Sequence, residues 1–262
     1  MLIPFIKMQA QGNDFVILNG FESPVPSLAM CHLAEKICSR HFGVGADGLV
    51  ILEPGEGADA QMTIYNSDGS RAAMCGSALR CVSLLTSQAT GRKSLTINTD
   101  SGLKRATCDP EAQHVSVNLG TPMILTETMC VAGFCGDLVD VGNLHYVVYR
   151  DHLDDDPHLK HGNMLEHHKD FPTTVNVHFV RRMALQEIQM KIWENACGAT
   201  LACGTGAVAS VCSGIRQGLL SSPVVVNMPG GRVEIEVLEG TGAYLLSGIV
   251  DIVFSGVYKW KI

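Results

Sequence analysis

Along the 262-residue chain, polar and apolar positions fall into many short runs of two-residue alternation and a few longer runs of helical spacing. Residues 3–18 (IPFIKMQAQGNDFVIL) predict a strand, a polar turn at Gly12-Asn13-Asp14 and a second strand. Pro24 and Pro26 then break the chain, and residues 28–39 show helical apolar spacing. A glycine-rich loop, 43–48, leads into a strand at 49–52, and another strand at 61–65 ends in the turn Asn66-Ser67-Asp68-Gly69. A helix is predicted from Cys75 to about Ala89, followed by a β-meander through 95–99, 103–108 and 114–119. The second half repeats this order. Strands at 138–141 and 145–149 flank Gly142-Asn143, and strands at 175–180 and 188–193 lead to a loop ending in Cys203. A helix then runs to about Gly218, and strands at 224–228, 233–238, 244–248 and 249–258 close the chain. The acidic, His-rich piece 151–170 reads as a solvated connector with room for one short helix. Many short strands with one long helix per half predict an α+β fold of two similar lobes, divided near residues 120–122.

Composition narrows the function. Apolar residues make up 46% and charged residues 17%, which describes a globular protein with a sizeable core. A net charge of −7 excludes a general nucleic-acid binder, which needs clustered Lys and Arg against phosphate. The first residues, MLIPFIKMQAQGNDF, lack the basic start and apolar run of a signal peptide, and no apolar stretch reaches the roughly 18 residues of a membrane helix. The expectation is a cytoplasmic protein with no membrane partner. Without an oxidising compartment the ten cysteines are expected to be reduced, most of them as buried small apolar residues. No C-x-x-C pair occurs, so the spacing gives no zinc site and no metal is expected.

Two cysteines stand apart. Cys75-Gly76-Ser77 and Cys203-Gly204-Thr205 each place a thiol, a glycine and a hydroxyl at the start of a predicted helix, once per half. A thiol has an ordinary pKa of about 8.5, and a helix N-terminus lowers it, which suits proton exchange with carbon near neutral pH. Two such thiols on opposite faces of one carbon would invert it, one removing the proton and the other supplying one. The amides of Gly76, Ser77, Gly204 and Thr205 can hold the substrate carboxylate and the charge that develops on it, with no cofactor required. The competing readings stay open at this level. A cysteine at a helix start is often only structural, and Gly204 to Ala209 also fits the relaxed dinucleotide fingerprint G-x-G-x-x-A. That fingerprint lacks its buried parallel strand and its acidic residue some 20 positions on.

With these residues, the chain resembles the diaminopimelate epimerase family of cofactor-independent amino-acid epimerases and racemases. The landmarks are Gly12-Asn13-Asp14-Phe15, the loop 43–48, Asn66-Ser67-Asp68-Gly69 with Met74-Cys75-Gly76, and Gly142-Asn143 with His145. Val175-Asn176-Val177, Trp193-Glu194 and Thr200 to Gly206 complete the set. The resemblance implies two pseudo-symmetric lobes, each a β-barrel around a central helix, with the substrate between them. It divides the chain into 1–119 with catalytic Cys75, completed by a returning strand within 249–262, and 120–248 with catalytic Cys203. It puts His145 and Glu194 among the catalytic residues, as groups that set thiol protonation, and Asn13, Asn66, Asn143 and Asn176 among the substrate-binding ones. Taken alone, each asparagine reads as a turn residue. The implied reaction interconverts LL- and meso-diaminopimelate, in the synthesis of lysine and peptidoglycan precursors; a homodimer stays open. Four positions depart from the family pattern: Ser77 stands where the family has Asn and still donates a hydrogen bond, Leu144 stands where it has Pro, and the other two remove charges. Asn195 stands where the family has the Arg that grips the distal carboxylate, and Ala199 replaces a Glu. A guanidinium gives a charge-assisted bidentate contact that an amide cannot. The alternative is therefore a racemase of a monoamino acid with a basic or imidazole side chain, such as histidine.

Overall fold

The computed structural model describes residues 1–260. The last two positions of the segment expected to complete the first lobe, 249–262, lie outside the described residues. The chain forms two compact units: Met1–Val117 together with the chain from Gly248 onward, and Asn118–Ser247.

In the first unit β1 (Leu2–Ala10) and β2 (Asn13–Asn19) make a hairpin whose two-residue turn is Gln11-Gly12, with φ of 52° and 83°. Positive φ at both central residues gives the twist that antiparallel strands need, so the turn lies one step earlier than the sequence suggested and Asn13 already belongs to β2. α1 (Met30–Ile37) crosses to β3 (Gly48–Pro54), which runs parallel to β2 and antiparallel to β4 (Ala60–Asn66). Leu33 and Ile37 of α1 pack on Val16, Leu18, Leu49 and Ile51, all buried. A short β5 (Arg71–Ala72) bridges to α2 (Gly76–Thr90). β6 (Ser94–Thr99) pairs parallel with β4 and then meanders into β7 (Gly102–Asp109) and β8 (His114–Asn118). The free side of β1 takes the chain's final strand, Asp251–Lys259, so β1 is sandwiched between the second strand of the chain and the last.

The second unit uses the same pairing scheme. β9 (Met123–Val131) and β10 (Phe134–Asp140) form a hairpin, and β10 pairs with β11 (Leu144–Tyr149). α3 (Pro157–Glu166) crosses to β12 (Asn176–Ala184), parallel to β11 and antiparallel to β13 (Glu187–Glu194). β14 (Gly198–Ala199) bridges to α4 (Gly204–Arg216). β15 (Val224–Met228) returns parallel to β13 and meanders through β16 (Gly231–Val237) and β17 (Tyr244–Ile249); the last strand, Asp251–Lys259, is β18. Each unit is therefore hairpin, crossover helix, parallel return, short bridge, long helix and meander.

The long helices are the centres. α2 is buried throughout Gly76 to Ser87, and its polar side chains bond back to the helix, Ser83 to Leu79 O at 2.7 Å and Thr86 to Val82 O at 2.8 Å. That satisfies hydroxyls which would otherwise be stranded in the core. Gly91 ends the helix with φ 72°, a conformation glycine adopts without a Cβ penalty. α4 is mostly Gly, Ala, Ser and Val, and its C-terminal end is pinned by Asp137. The buried Asp137 carboxylate accepts bonds from Arg216 at 2.8 and 2.9 Å, Ser213 at 2.7 Å and Thr128 N at 2.9 Å. Burial alone would raise its pKa; these donors outweigh it and hold the carboxyl below its usual value.

Two expectations are corrected. Cys130 and Cys135 are opposed in the β9–β10 register and form a disulfide, so the thiols are not all reduced. Direct cross-strand opposition brings two Cβ atoms within bonding reach. Cys38, Cys81, Cys108 and Cys212 are buried, as expected of small apolar residues. The 151–170 piece is also not a solvated connector. Leu153, Leu165 and Phe171 are buried in the core of the second unit against Tyr146, Val177 and Phe179.

Candidate active site

Each of Cys75 and Cys203 is the residue immediately before its central helix, in extended backbone (φ −143°, ψ 123° and φ −139°, ψ 108°). The first helical bonds run from Leu79 N to Cys75 O and from Ala207 N to Cys203 O, both at 2.9 Å. The amides before them, including Gly76, Ser77, Gly204 and Thr205, have no helical acceptor, and neither first turn carries an acidic side chain. Such ends attract anions. Ser77 adds a buried hydroxyl whose Oγ has no hydrogen-bond partner among the described residues.

In the first unit, Asn13 donates from Nδ2 toward Cys75 Sγ at 3.8 Å. Its strand is fixed by its neighbour Asp14. Asp14 and Asp47 exchange backbone-to-carboxylate bonds at 3.1 Å, Arg40 spans both carboxylates, and Lys7 pairs with Asp14. Burial raises the Asp14 pKa, but Arg40 and Lys7 more than offset it and leave the carboxyl lowered. Arg80, buried in α2 and bonded to Gln11 at 2.7 Å, lies within electrostatic reach of Cys75. Desolvation brings its pKa down to about 10. Asn66 is exposed, and its amide is bonded to Ser70 at 2.9 Å.

In the second unit the sequence-selected residues gather around Cys203. Its thiol is bonded to the Glu194 carboxylate and lies 3.7 Å from Thr205 Oγ1. Glu194 is steadied by Thr200 at 2.6 Å. Burial first, and then the Glu194 charge and hydrogen bond, hold the Cys203 pKa well above the ordinary thiol value. The expectation that a helix N-terminus would lower it is thus reversed at this cysteine, because desolvation and an adjacent carboxylate outweigh the dipole. His145 is fully buried, with Nε2 2.8 Å from Asn143 Oδ1 and Nδ1 2.8 Å from His178 Nε2. Asn176 is occupied structurally, donating to Leu144 O at 2.9 Å and accepting from Asn195 N at 3.0 Å. Asn195 itself is exposed.

Two supporting residues escaped the sequence reading. His178 follows Asn176 by two positions, which in a strand places both on one face. Glu166, at the end of α3, accepts bonds from Trp193 Nε1 at 2.7 Å and Ala196 N at 2.8 Å, clamping the loop that carries Glu194 and Asn195. Its polar surroundings in 151–170 gave no signal that would single it out. His145, His178 and Cys203 also form a donor set whose ligating atoms lie within 4.8 Å of one another. The two imidazole nitrogens, 2.8 Å apart, are at hydrogen-bond distance. Nitrogens sharing one tetrahedral zinc at Zn–N about 2.0–2.1 Å would stand about 3.3 Å apart, so the residues as placed fit a hydrogen-bonded pair better than a metal centre.

Two buried helices, each with a cysteine at its N-terminus and wrapped by a mixed sheet, place the chain in a fold shared with known epimerases. It superposes on a phenazine biosynthesis protein of the PhzF family from Bacillus anthracis with a TM-score of 0.77 at 15% identity, over 98% of this chain and 99% of that one. It superposes also on a hydroxyproline epimerase from Agrobacterium vitis, with a TM-score of 0.75 at 14% identity, over 98% and 92% of the two chains. A family model described as diaminopimelate epimerase matches residues 5–125 and 138–251. The diaminopimelate epimerase of Desulforudis audaxviator is 37% identical over 276 residues, covering 98% of each chain. The chain belongs to the diaminopimelate epimerase family.

Proposed function

We propose that this protein interconverts LL- and meso-2,6-diaminopimelate by proton transfer between two thiols and the substrate α-carbon. The observation that carries the reading is the pair of cysteines in matching extended backbone before two helix ends whose leading amides have no helical acceptor and whose first turns carry no acidic side chain. As a member of its family the enzyme is an isomerase. Cys75, near Arg80 and Asn13, is the base: its thiolate takes the α-proton of one enantiomeric centre, forming S–H as C–H breaks. Cys203, kept protonated at rest by burial and Glu194, delivers its proton to the opposite face and becomes the thiolate. The reverse reaction exchanges the roles. Helix-terminal amides, with Ser77 and Thr205, bind the substrate carboxylate and the negative charge that builds on it. The two thiols supply both proton transfers, so the reading requires no cofactor.

In this reading the enzyme works in the cytoplasm and supplies precursors of lysine and peptidoglycan. Among the described residues no helix is long and apolar enough to cross a membrane. A homodimer is supported by the apolar residues that β1 and β18 leave exposed, Leu2, Val253, Phe254 and Val257. The absence of a cation at Asn195 favours a second reading, racemisation of a monoamino acid. Proton NMR of α-hydrogen exchange in D2O separates them, with LL-diaminopimelate offered beside lysine, histidine and glutamate. Fastest exchange with diaminopimelate is expected, and Cys75→Ala and Cys203→Ala should each abolish inversion. Exchange confined to a monoamino acid would move the substrate assignment, and turnover retained in either cysteine variant would sink the two-thiol mechanism.

A further inference from the structure

The His145–His178 pair has a directionality that its partners dictate. Asn143 Oδ1 can only accept, so His145 Nε2, 2.8 Å away, carries the hydrogen. Neutral His145 then has only a lone pair at Nδ1, and His178 Nε2, 2.8 Å from it, must be the donor. His178 Nδ1 is left with its lone pair, buried and without a hydrogen-bond partner among the described residues. A proton added at His145 Nδ1 would meet the N–H of His178 head-on. Both rings are fully buried, which favours the neutral forms further.

The position of the pair gives this arrangement a use. One nitrogen of each ring lies within 4.8 Å of Cys203 Sγ. Gly206, in the first turn of α4, is what allows the approach. A Cβ there would fall 2.5 Å from His178 Nε2 and 3.1 Å from Cys203 Sγ, so ring and sulfur share the space that the missing side chain leaves. A thiol beside an imidazole free to accept a proton passes to thiolate and imidazolium, as in cysteine nucleophiles. For Cys203 that transfer would break Sγ–H and form Nδ1–H on His145, removing the proton the thiol is meant to deliver. Building on the two-thiol reading above, we propose that His178 is a positioning residue that donates to His145 Nδ1, locks His145 as the neutral Nε2–H tautomer and so denies Cys203 a neighbouring base for the proton that burial and Glu194 favour on it. The titratable groups around the pair are Cys203, before α4, and, through its thiol, Glu194 at the end of β13.

The test uses the whole protein without substrate. Two-bond proton–nitrogen NMR of protein labelled with 15N-histidine should show wild-type His145 as the Nε2–H tautomer across neutral pH; an Nδ1–H tautomer would overturn the proposal. His178→Phe fills the space but cannot donate. Its Cys203 should show thiolate ultraviolet absorbance at neutral pH and alkylate roughly tenfold faster with iodoacetamide than in the wild type, both signals vanishing when Cys203→Ser is added. His178→Gln, whose amide keeps a donor near the Nε2 position, should restore the protonated thiol. A Cys203 that titrates alike in wild type and His178→Phe would overturn the assignment. Should His178→Phe fail to fold, the wild-type tautomer decides. Because each readout is taken without substrate, failure to turn over diaminopimelate would count against the proposed activity and not against His178.

Discussion

His145 and His178 are neutral groups in a folded protein whose unfolded chain would protonate them below about pH 6.5. Burial lowers both, His178 to about 3, and at His145 charge repulsion from a protonated His178 adds to the effect. The unfolded state therefore binds more protons, and stability falls as the pH drops from about 6.5 toward 3. The slope is about 1.4 kcal/mol per histidine per pH unit. Urea midpoints at pH 7 and pH 5 should differ accordingly, and His178→Gln should flatten the difference; equal midpoints in the wild type would contradict the burial of these rings as neutral groups. Asn195 carries a second prediction. Asn195→Arg should lower the KM for diaminopimelate about tenfold or more with little change in kcat, since hydrogen bonds to charged groups contribute about 1.5–3 kcal/mol. A KM that does not fall would mean that the distal carboxylate does not reach this loop. The two cysteines could be read from residue type and context, the asparagines only through the family resemblance, and His178 through neither. Nothing in the sequence joins it to His145, and only the parallel ladder, with His145 opposite Asn176, sets the two rings side by side.

Among the elements, α3 does work that its composition conceals. Charged and histidine residues dominate 151–170, and the buried set Leu153, Pro157, His158, Gly162, Leu165 and Glu166 is too sparse and too mixed in polarity to stand out. The missed strand β9 has the complementary problem. Eight of its nine residues are not buried, so it lacks the alternation that marks a half-buried strand. The elements with a full apolar face, β1 to β4 and the two central helices, were legible for the opposite reason. Glu166→Ala should leave the Trp193 and Ala196 N–H groups without their acceptor, at a cost of about 1–3 kcal/mol for each group left unsatisfied. Because those bonds hold the loop bearing Glu194 and Asn195, kcat/KM should fall by more than thermal stability alone explains when measured well below the melting temperature. Unchanged kinetics in a destabilised variant would make α3 a purely structural prop.

For the whole molecule, the exposed apolar strip of β1 and β18 bears on assembly. Val257→Glu places a charge on the strand face that Leu2, paired with Lys259, shares, and burying an unpaired carboxylate in an interface is strongly unfavourable. Sedimentation equilibrium should then show a monomer where the wild type is a dimer; a wild type already monomeric, or an unaltered dimer, would remove this strip as the contact. The same strand has a temporal consequence. β1 is made about 240 residues before its partner β18. At about 5–20 residues per second, a ribosome takes tens of seconds to travel between them. For that interval one edge of β1 stays unclosed, while the second unit, contained in one continuous stretch of chain, has everything it needs. On a stalled nascent chain ending before Asp251, the second unit should resist protease and the first should not. Order of synthesis thus runs opposite to order of completion, and the half bearing Cys75 is the one that waits.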